Sequence, residues 1–194
     1  MKVRSTITAL LLLSPMLLAA QHPGAAPARS APAEAKQFDF LIGQWELVVK
    51  PQAVNLGQRI HGVPKLLGTW KAWRVLDGWG IIDELRITDE SGNPRSLTSA
   101  TRMYDATARR WIVSSADAYR GTFSPATSEW TGGAMTAMSK GTDAEGKPIL
   151  TRSRYWSITP TSFKFEQERS TDDGKTWNRT LTIDAKRVAA AAPR

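Results

Sequence analysis

The chain has 194 residues, which is enough for one domain with a well-packed core and short for two. It contains no cysteine, so disulfides, thiolate metal sites, cysteine nucleophiles and a lipid-modified cysteine anchor are excluded. The formal net charge of +8 comes from basic residues that are dispersed along the sequence. This dispersal argues against a nucleic-acid partner and indicates solubility with a weak attraction to anionic surfaces.

The first twenty residues have the layout of a secretory signal peptide. Lys2 and Arg4 form a short basic start, and an apolar run of 14 residues follows, from position 7 to position 20. A membrane-spanning helix needs about 20 apolar residues, so no transmembrane anchor is expected. We therefore expect residues 1–20 to be removed, after Ala20 or a few residues later, and the mature chain to be periplasmic or secreted.

Both ends of the remaining sequence lack the pattern of a folded domain. Residues 21–35 hold three prolines and six alanines without apolar periodicity, which is typical of a disordered linker. Residues 189–194 are an alanine tract closed by Pro193, which indicates a flexible tail. The ordered domain is therefore expected at residues 36–188.

Within residues 36–188 the sequence shows short segments of alternating polar and apolar residues, separated by clusters of Gly, Asp, Asn, Ser and Pro. This pattern is typical of antiparallel strands joined by tight turns, and no segment shows helical periodicity. An open sheet of about ten strands would leave two exposed edges, so we expect a single closed all-β barrel. The predicted strands are 44–50, 68–76, 80–88, 96–104, 110–116, a shorter pair at 121–124 and 129–131, 134–139, 149–158, 162–169 and 176–187.

The connection at residues 51–67 is longer than hairpin loops usually are. It contains Ile60, Val63, Leu66 and Leu67, which favours a lid that folds down onto the barrel mouth. A simple insertion between the first two strands is the alternative.

The segment from Phe38 to Trp45 opens the domain with the motif Gly43-Gln44-Trp45. Here the sequence resembles the calycin superfamily, whose members begin the first strand with Gly-x-Trp after a short helical turn. The resemblance implies an antiparallel lipocalin-like β-barrel with such a turn at its N-terminus. It also implies that Trp45 closes the barrel floor and that Arg187, at the end of the last strand, covers it by cation-π stacking.

Further motifs resemble, more narrowly, a bacterial family of exported domains that are similar to nitrobindin-type barrels. The resemblance covers residues 37–188 and implies the fold without a reaction. The motifs lie at 38–45, 76–83, 104–111, 154–156 and 170–177. Nitrobindin-like barrels hold haem through a histidine near the C-terminal end of the barrel, whereas this chain has only His22, in the linker, and His61, after the first strand. No cofactor and no metal are therefore expected.

The last of these motifs, Ser170 to Trp177, also fits the Ser-x-Asp-x-Gly-x-x-Trp turn that repeats around sialidase-type propellers. A propeller needs several repeats of about 40 to 50 residues, and the chain contains one copy. The motif therefore predicts a hairpin between the last two strands, in which Asp172 and Ser170 bond turn amides.

Strand alternation suggests which charged groups enter the lumen. Asp83 alternates with apolar residues in the third strand, and Arg152 and Arg154 share a side with Leu150 and Trp156. Burying either kind of charge alone is costly, so each is expected to be paired. The partner is either an opposite charge of the barrel or a group of a ligand.

The binding hypothesis assigns an anionic head group of the ligand to Arg154, with Arg102 as a second cation. The apolar body of the ligand would pack on aromatic side chains, which fill barrel lumens and line cavities equally well. These aromatic residues are Tyr104, Trp111, Trp156 and Phe165.

Three functions remain open. The first is an exported barrel that binds a small lipophilic molecule, neutral or anionic, with residues 51–67 as a lid. The second is a cavity enzyme for isomerisation, cyclisation or hydrolysis with Asp83 or Glu166 as the base, although no catalytic motif occurs. The third is a structural module for envelope interactions, which a solid barrel with an exposed apolar patch would support.

Overall fold

The computed structural model describes residues 30–53, 56–143 and 145–188. The predicted signal peptide (1–20), most of the linker and the tail (189–194) lie outside them. Ten strands form one closed antiparallel barrel in which the first strand pairs with the last, so the predicted all-β barrel is confirmed. The strands are β1 (Gly43–Pro51), β2 (Leu66–Val75), β3 (Gly80–Asp89), β4 (Pro94–Asp105), β5 (Arg110–Asp117), β6 (Thr122–Thr131), β7 (Ala134–Thr142), β8 (Pro148–Trp156), β9 (Ser162–Ser170) and β10 (Asn178–Arg187).

Aspartates fix the turns at the end of the barrel where β1 ends and β10 begins, which we call the mouth end. After β3, Asp89 Oδ1 accepts hydrogen bonds from the amides of Ser91 and Asn93 at 3.0 and 2.9 Å. Asp117 after β5 and Asp143 after β7 accept from turn amides in the same way. These short side chains satisfy amides that the strand ladders leave free, so each turn reverses tightly.

The opposite end, the floor end, is closed by the segment that precedes β1. Two 3-10 turns, Ala33–Lys36 and Asp39–Leu41, place the side chains of Phe38 and Leu41 in the core, where both are fully buried. The predicted N-terminal helical turn is therefore present. Ala35, which the sequence pattern assigned to the linker, is also buried and packs in the same core.

Trp45 and Arg187 lock the floor end as the resemblance implied. They are opposite each other in the β1–β10 ladder, and Arg187 Cζ lies 4.0 Å from the centre of the Trp45 ring. The guanidinium also donates to three backbone oxygens, at 2.6, 3.1 and 2.6 Å, those of Ile42, Phe40 and Pro160. Gly43 has a φ of 121°, and a Cβ atom there would collide with Arg187. The glycine of the Gly-x-Trp motif therefore makes room for the guanidinium.

β6 is a single strand where the sequence pattern predicted two. Pro125 separates the two predicted segments, and a proline argues against a central strand. In the structure, pairing between β6 and β7 begins with Ala126 opposite Ser139. Pro125 therefore pairs with β5 only, and β6 is an edge strand at this position. At the mouth end, residues 122–125 and 140–142 consequently do not pair with each other, so the β6–β7 ladder stops short of the mouth.

The connection between β1 and β2 contains a helix that sequence periodicity did not predict. This helix, α1 (Leu56–His61), has six residues, too few to show a helical period, and none of them is buried. The side chains of Leu56 and Ile60 are 70% and 67% exposed, so the helix does not fold onto the mouth as the lid prediction required. The ends of the connection, Pro51 and Leu66, do line the lumen. Within the described residues, no helix is long and apolar enough to span a membrane.

Candidate functional site

The lumen is hollow at the mouth end and packed at the floor end. A cavity of about 1120 Å³ opens at the mouth and reaches Asp83 and Arg102. Pockets of roughly 300–1,000 Å³ hold drug-sized ligands, so this cavity has room for one. Beneath it, aromatic rings pack edge to face and close the barrel. These rings belong to Phe38, Phe40, Trp45, Tyr104, Trp111 and Phe163.

A buried ion pair forms the base of the cavity. The carboxylate of Asp83 contacts the guanidinium of Arg102 through Oδ2, and its Oδ1 accepts a 2.9 Å hydrogen bond from Trp70 Nε1. Arg102 Nη2 lies 3.4 Å from the hydroxyl of Tyr155. The Asp83 and Arg102 side chains are 3% and 8% exposed, so the two charges offset each other where little water reaches them. This arrangement matches the structural interpretation of Asp83.

The predicted ligand residues on β4, β5 and β9 all face the lumen, at two different depths. Arg102 and Phe165 line the cavity. Tyr104 and Trp111 lie below it, with ring centres 5.7 Å apart. Trp111 is fully buried and donates from Nε1 to Gln37 Oε1 at 3.1 Å, which fixes it to the N-terminal segment. These two rings therefore belong to the packing of the floor.

Arg154 and Trp156 face outward, and the register contradicts their prediction as lumen residues. Tyr155 on β8 is opposite Phe165 on β9, and both line the cavity. Because neighbouring residues of a strand point to opposite faces, Arg154 and Trp156 lie on the outer surface, as does Arg152. The sequence pattern misled because the lumen face of β8 carries serine and threonine beside Ile149 and Tyr155, so it is no more apolar than the outer face.

Glutamates of β9 bind these arginines on the outer surface. Arg152 pairs with Glu168 at 2.8 Å, and Arg154 and Arg179 pair with Glu166 at 3.1 and 3.4 Å. Glu166 alternates with the lumen-facing residues of β9, so it lies outside the barrel between two guanidinium groups. It is therefore not placed to act as a base in the cavity, which corrects its alternative assignment.

Four cationic side chains lie at the rim of the cavity. The sequence did not reveal them, because whether a residue lies at the rim depends on where its strand ends. Arg95 and Arg120 are paired with aspartates of the mouth turns at 2.9 and 2.5 Å. In the part of the chain that the structure describes, Lys140 and Arg169 have no ion-pair partner. They are the rim charges that remain available to a ligand.

The structure also adds three lumen residues, Trp70, Tyr155 and Ser128, that sequence reasoning did not select. Trp70 follows the alternation of β2, which could have revealed it, whereas the position of Tyr155 required the β8–β9 register. The described residues include no group of three side chains suited to hold a metal ion. His61 is exposed at the end of α1, and His22 lies outside the described residues.

No family model and no curated protein matches the chain. Among solved structures, the S-type phycobiliprotein lyase CPES from Guillardia theta is similar at a TM-score of 0.56 and 10% identity, over 80% of this chain and 93% of the lyase. The redesigned β-barrel mFAP0 bound to DFHBI matches at a TM-score of 0.41 and 11% identity, over 76% of this chain and 99% of that barrel. The likeness to the lyase concerns the fold alone, that of a closed antiparallel β-barrel.

Proposed function

We propose that this chain is an exported protein that binds a small lipophilic molecule inside its barrel. The observation that carries the proposal is the cavity of about 1120 Å³ above a closed floor. Barrels of this kind either fill their interior with side chains or hold one small ligand, and the mouth half of this barrel is not filled. Export is inferred from the signal-peptide pattern of the first twenty residues.

The proposed ligand carries an anionic group that binds at the rim. Arg102 is neutralised by Asp83 and offers little charge to a ligand. Arg169 and Lys140 line the rim without an ion-pair partner in the described part of the chain. A charge-assisted hydrogen bond from Arg169 would hold a carboxylate or sulfonate while the hydrocarbon part enters the cavity. Weak association of the basic protein with anionic surfaces is part of the same proposal.

The positions of the two candidate bases, Asp83 and Glu166, do not favour an enzymatic function. A general base needs a free lone pair within reach of the substrate. The Asp83 side chain is 3% exposed and is held by Arg102 and Trp70 at the base of the cavity, and Glu166 lies on the outer surface. The binding function is therefore the one that the geometry favours.

Blocking the cavity tests the proposal. We expect wild-type protein to bind the anionic fluorophore anilinonaphthalene sulfonate, and the Ala126→Phe variant, which fills the lumen, to bind it at least about tenfold more weakly. Ala126 lines the cavity and Thr127, the next residue, points outward, so Thr127→Phe is the matched control. Fluorescence titration measures both. Equal affinities in the two variants would place the probe outside the lumen and refute the proposal.

Removing a rim charge tests the anionic part separately. Arg169→Gln is expected to weaken binding of anilinonaphthalene sulfonate and to leave binding of the neutral fluorophore Nile red unchanged. Arg110→Gln, on the floor end of the barrel, is the control for overall charge. If Arg110→Gln weakens sulfonate binding as much as Arg169→Gln does, the rim has no special role.

A further inference from the structure

The wall of the cavity has two chemically different halves. Strands β10, β1, β2 and β3 are contiguous in the barrel, and so are β4 to β8 on the opposite side. The first group presents hydrocarbon to the cavity, through Val49, Leu66, Leu85, Ile87, Leu181 and Ile183. The second group also contributes apolar side chains such as Val113 and Ile149, but it carries a row of hydroxyls that the first group lacks, those of Thr98, Ser115, Ser128, Ser139, Thr151 and Ser153. We call these the apolar half and the hydroxyl half.

The hydroxyl half is not used by the protein itself. Ser128 is 1% exposed, and its Oγ has no hydrogen-bond partner among the described residues. No side-chain hydrogen bond joins the other five hydroxyls to the described part of the chain either. Away from the cavity the same residue types are bonded, as Ser170 is to Asp172 at 2.7 Å and Thr180 to the Gln167 carbonyl at 3.0 Å. The hydrogen-bonding capacity of this half is therefore directed into the cavity.

A buried hydroxyl without a partner is unfavourable, so Ser128 favours a ligand that supplies one. The other five hydroxyls are partly exposed, so water hydrogen-bonds them until a ligand takes its place. A hydrocarbon surface pressed against the hydroxyl half would remove that water without replacing its hydrogen bonds. The apolar half acts in the opposite sense, because covering it with hydrocarbon removes apolar area from water. The two halves face each other along the cavity, so they favour a ligand whose polarity is divided between its two long faces.

We propose that the cavity selects a facial amphiphile, a rigid polycyclic molecule with hydroxyls along one face and hydrocarbon along the other. The inference rests on the proposed binding function and specifies its ligand class. A linear amphiphile separates its polar and apolar parts from end to end, so its chain would lie against both halves at once. A rigid ring system keeps the two faces apart and presents each to the matching half of the wall.

Steroid acids provide a direct test. Cholate carries its hydroxyls on one face of the ring system, and 5β-cholanate has the same rings and carboxylate without the hydroxyls. Hydrophobic burial alone would favour 5β-cholanate and a linear fatty acid such as palmitate. We expect the reverse order, in which cholate displaces anilinonaphthalene sulfonate at concentrations at least about tenfold lower than either. All ligands are used below their micellar concentrations.

Substitutions assign the preference to the wall. Ser128→Ala and Ser153→Ala are each expected to weaken cholate binding about threefold to tenfold and to leave 5β-cholanate binding unchanged or tighter. Ser114→Ala, on the outer face of β5, is the matched control and is expected to change neither. Circular dichroism of each variant checks that the barrel is intact.

The outcomes separate this inference from the function on which it rests. If 5β-cholanate or palmitate binds as tightly as cholate, selection of a facial amphiphile is wrong, while probe binding that Ala126→Phe abolishes would still support a lumen ligand. If cholate binds best and the serine variants do not reduce its affinity, the preference does not arise from the hydroxyl half and the inference is also wrong. If neither the fluorophore nor any steroid binds, both proposals fail.

Discussion

At the scale of single residues, the ion pair between Asp83 and Arg102 divides the packed part of the lumen from the hollow part. Taking two charges out of water is costly, and their attraction repays the cost only when the remaining polar atoms are also satisfied. Here the indole of Trp70 and the hydroxyl of Tyr155 supply the additional contacts. The two charges are therefore stable in the core only together, and removing one of them should destabilise the fold.

Arg102→Met should expose this dependence. The substitution leaves the Asp83 carboxylate buried without a cation, and we expect the free energy of unfolding to fall by about 3–5 kcal/mol. Lys50→Met is the control, because the Lys50–Asp184 pair has the same ionic chemistry at 2.8 Å on the surface, where such pairs contribute about 0–1 kcal/mol. Urea denaturation measures both changes. Equal losses in the two variants would mean that water reaches Asp83 freely.

At the scale of elements, the sequence predicts strands better than it predicts which face of a strand is inside. β9 alternates Phe163 and Phe165 with charged residues, so its lumen face is evident. β8 carries apolar and polar residues on both faces, and its inner face follows only from the pairing of Tyr155 with Phe165. Arg154 was misplaced for this reason. Alternation identifies a face only when one face is clearly more apolar than the other.

The cavity itself was beyond the reach of sequence reasoning. Closure of the barrel follows from strand number and exposed edges, and the contact of Trp45 with Arg187 follows from the family resemblance. An empty lumen depends on the sizes of side chains that come together from ten strands, such as Ala137 opposite Ser128, and on the register that aligns them. The volume left between these side chains therefore cannot be predicted from any local sequence pattern.

The hairpin between β9 and β10 was predicted from its motif, and the structure confirms it. Ser170 Oγ donates to Asp172 Oδ1 at 2.7 Å, and the Gly174 amide donates to Ser170 Oγ at 2.8 Å. The Thr176 hydroxyl and amide donate to the same carboxylate at 2.6 and 2.9 Å. The hydrogen bond from Ser170, followed by those from Thr176, lowers the pKa of Asp172 from 3.8 to about 2. The charged form of one carboxylate therefore holds the turn.

This turn should lose its contribution to stability in acid. Well above pH 3.8 the Asp172 carboxylate is charged in the folded and unfolded states, and its hydrogen bonds stabilise the folded state fully. As the pH falls towards about 2, the unfolded state binds the proton first, so the stabilisation declines and is lost below the folded-state pKa. We expect the difference in urea midpoint between wild type and Asp172→Asn to shrink across this range.

Thr176→Val provides the comparison for that pH dependence. It removes a hydroxyl donor to Asp172 and keeps the carboxylate, so the pKa of Asp172 should rise. The decline should then end at a higher pH than in wild type, because its onset is set by the pKa of the unfolded state, which the substitution does not change. The carboxyl carbon of Asp172 should also titrate at a higher pH by NMR. A midpoint difference between wild type and Asp172→Asn that stays constant from pH 6 to pH 2 would contradict the role assigned to this carboxylate.

At the scale of the whole molecule, the barrel is stable at one end and open at the other. The floor end combines the aromatic cluster, the N-terminal turns and the Arg187 contacts. The mouth end surrounds a cavity and includes the stretch where residues 122–125 and 140–142 do not pair. Every strand runs through both regions. The two ends of one strand should therefore differ in local stability, since local opening requires fewer buried contacts to be broken near the mouth.

Hydrogen exchange measured by NMR should reveal this gradient within single strands. In β6 and β7 we expect the amides of residues 128–131 and 134–137 to exchange only through global unfolding, and those of residues 122–124 and 140–142 to exchange faster through local opening. Saturating anilinonaphthalene sulfonate should slow the second group more than the first, because a ligand stabilises the conformations that bind it. Uniform exchange along β6 and β7, or equal protection of both groups by the probe, would show that the cavity end is as firmly held as the floor. It would also mean that the missing pairing between β6 and β7 does not lower the local stability of the mouth end.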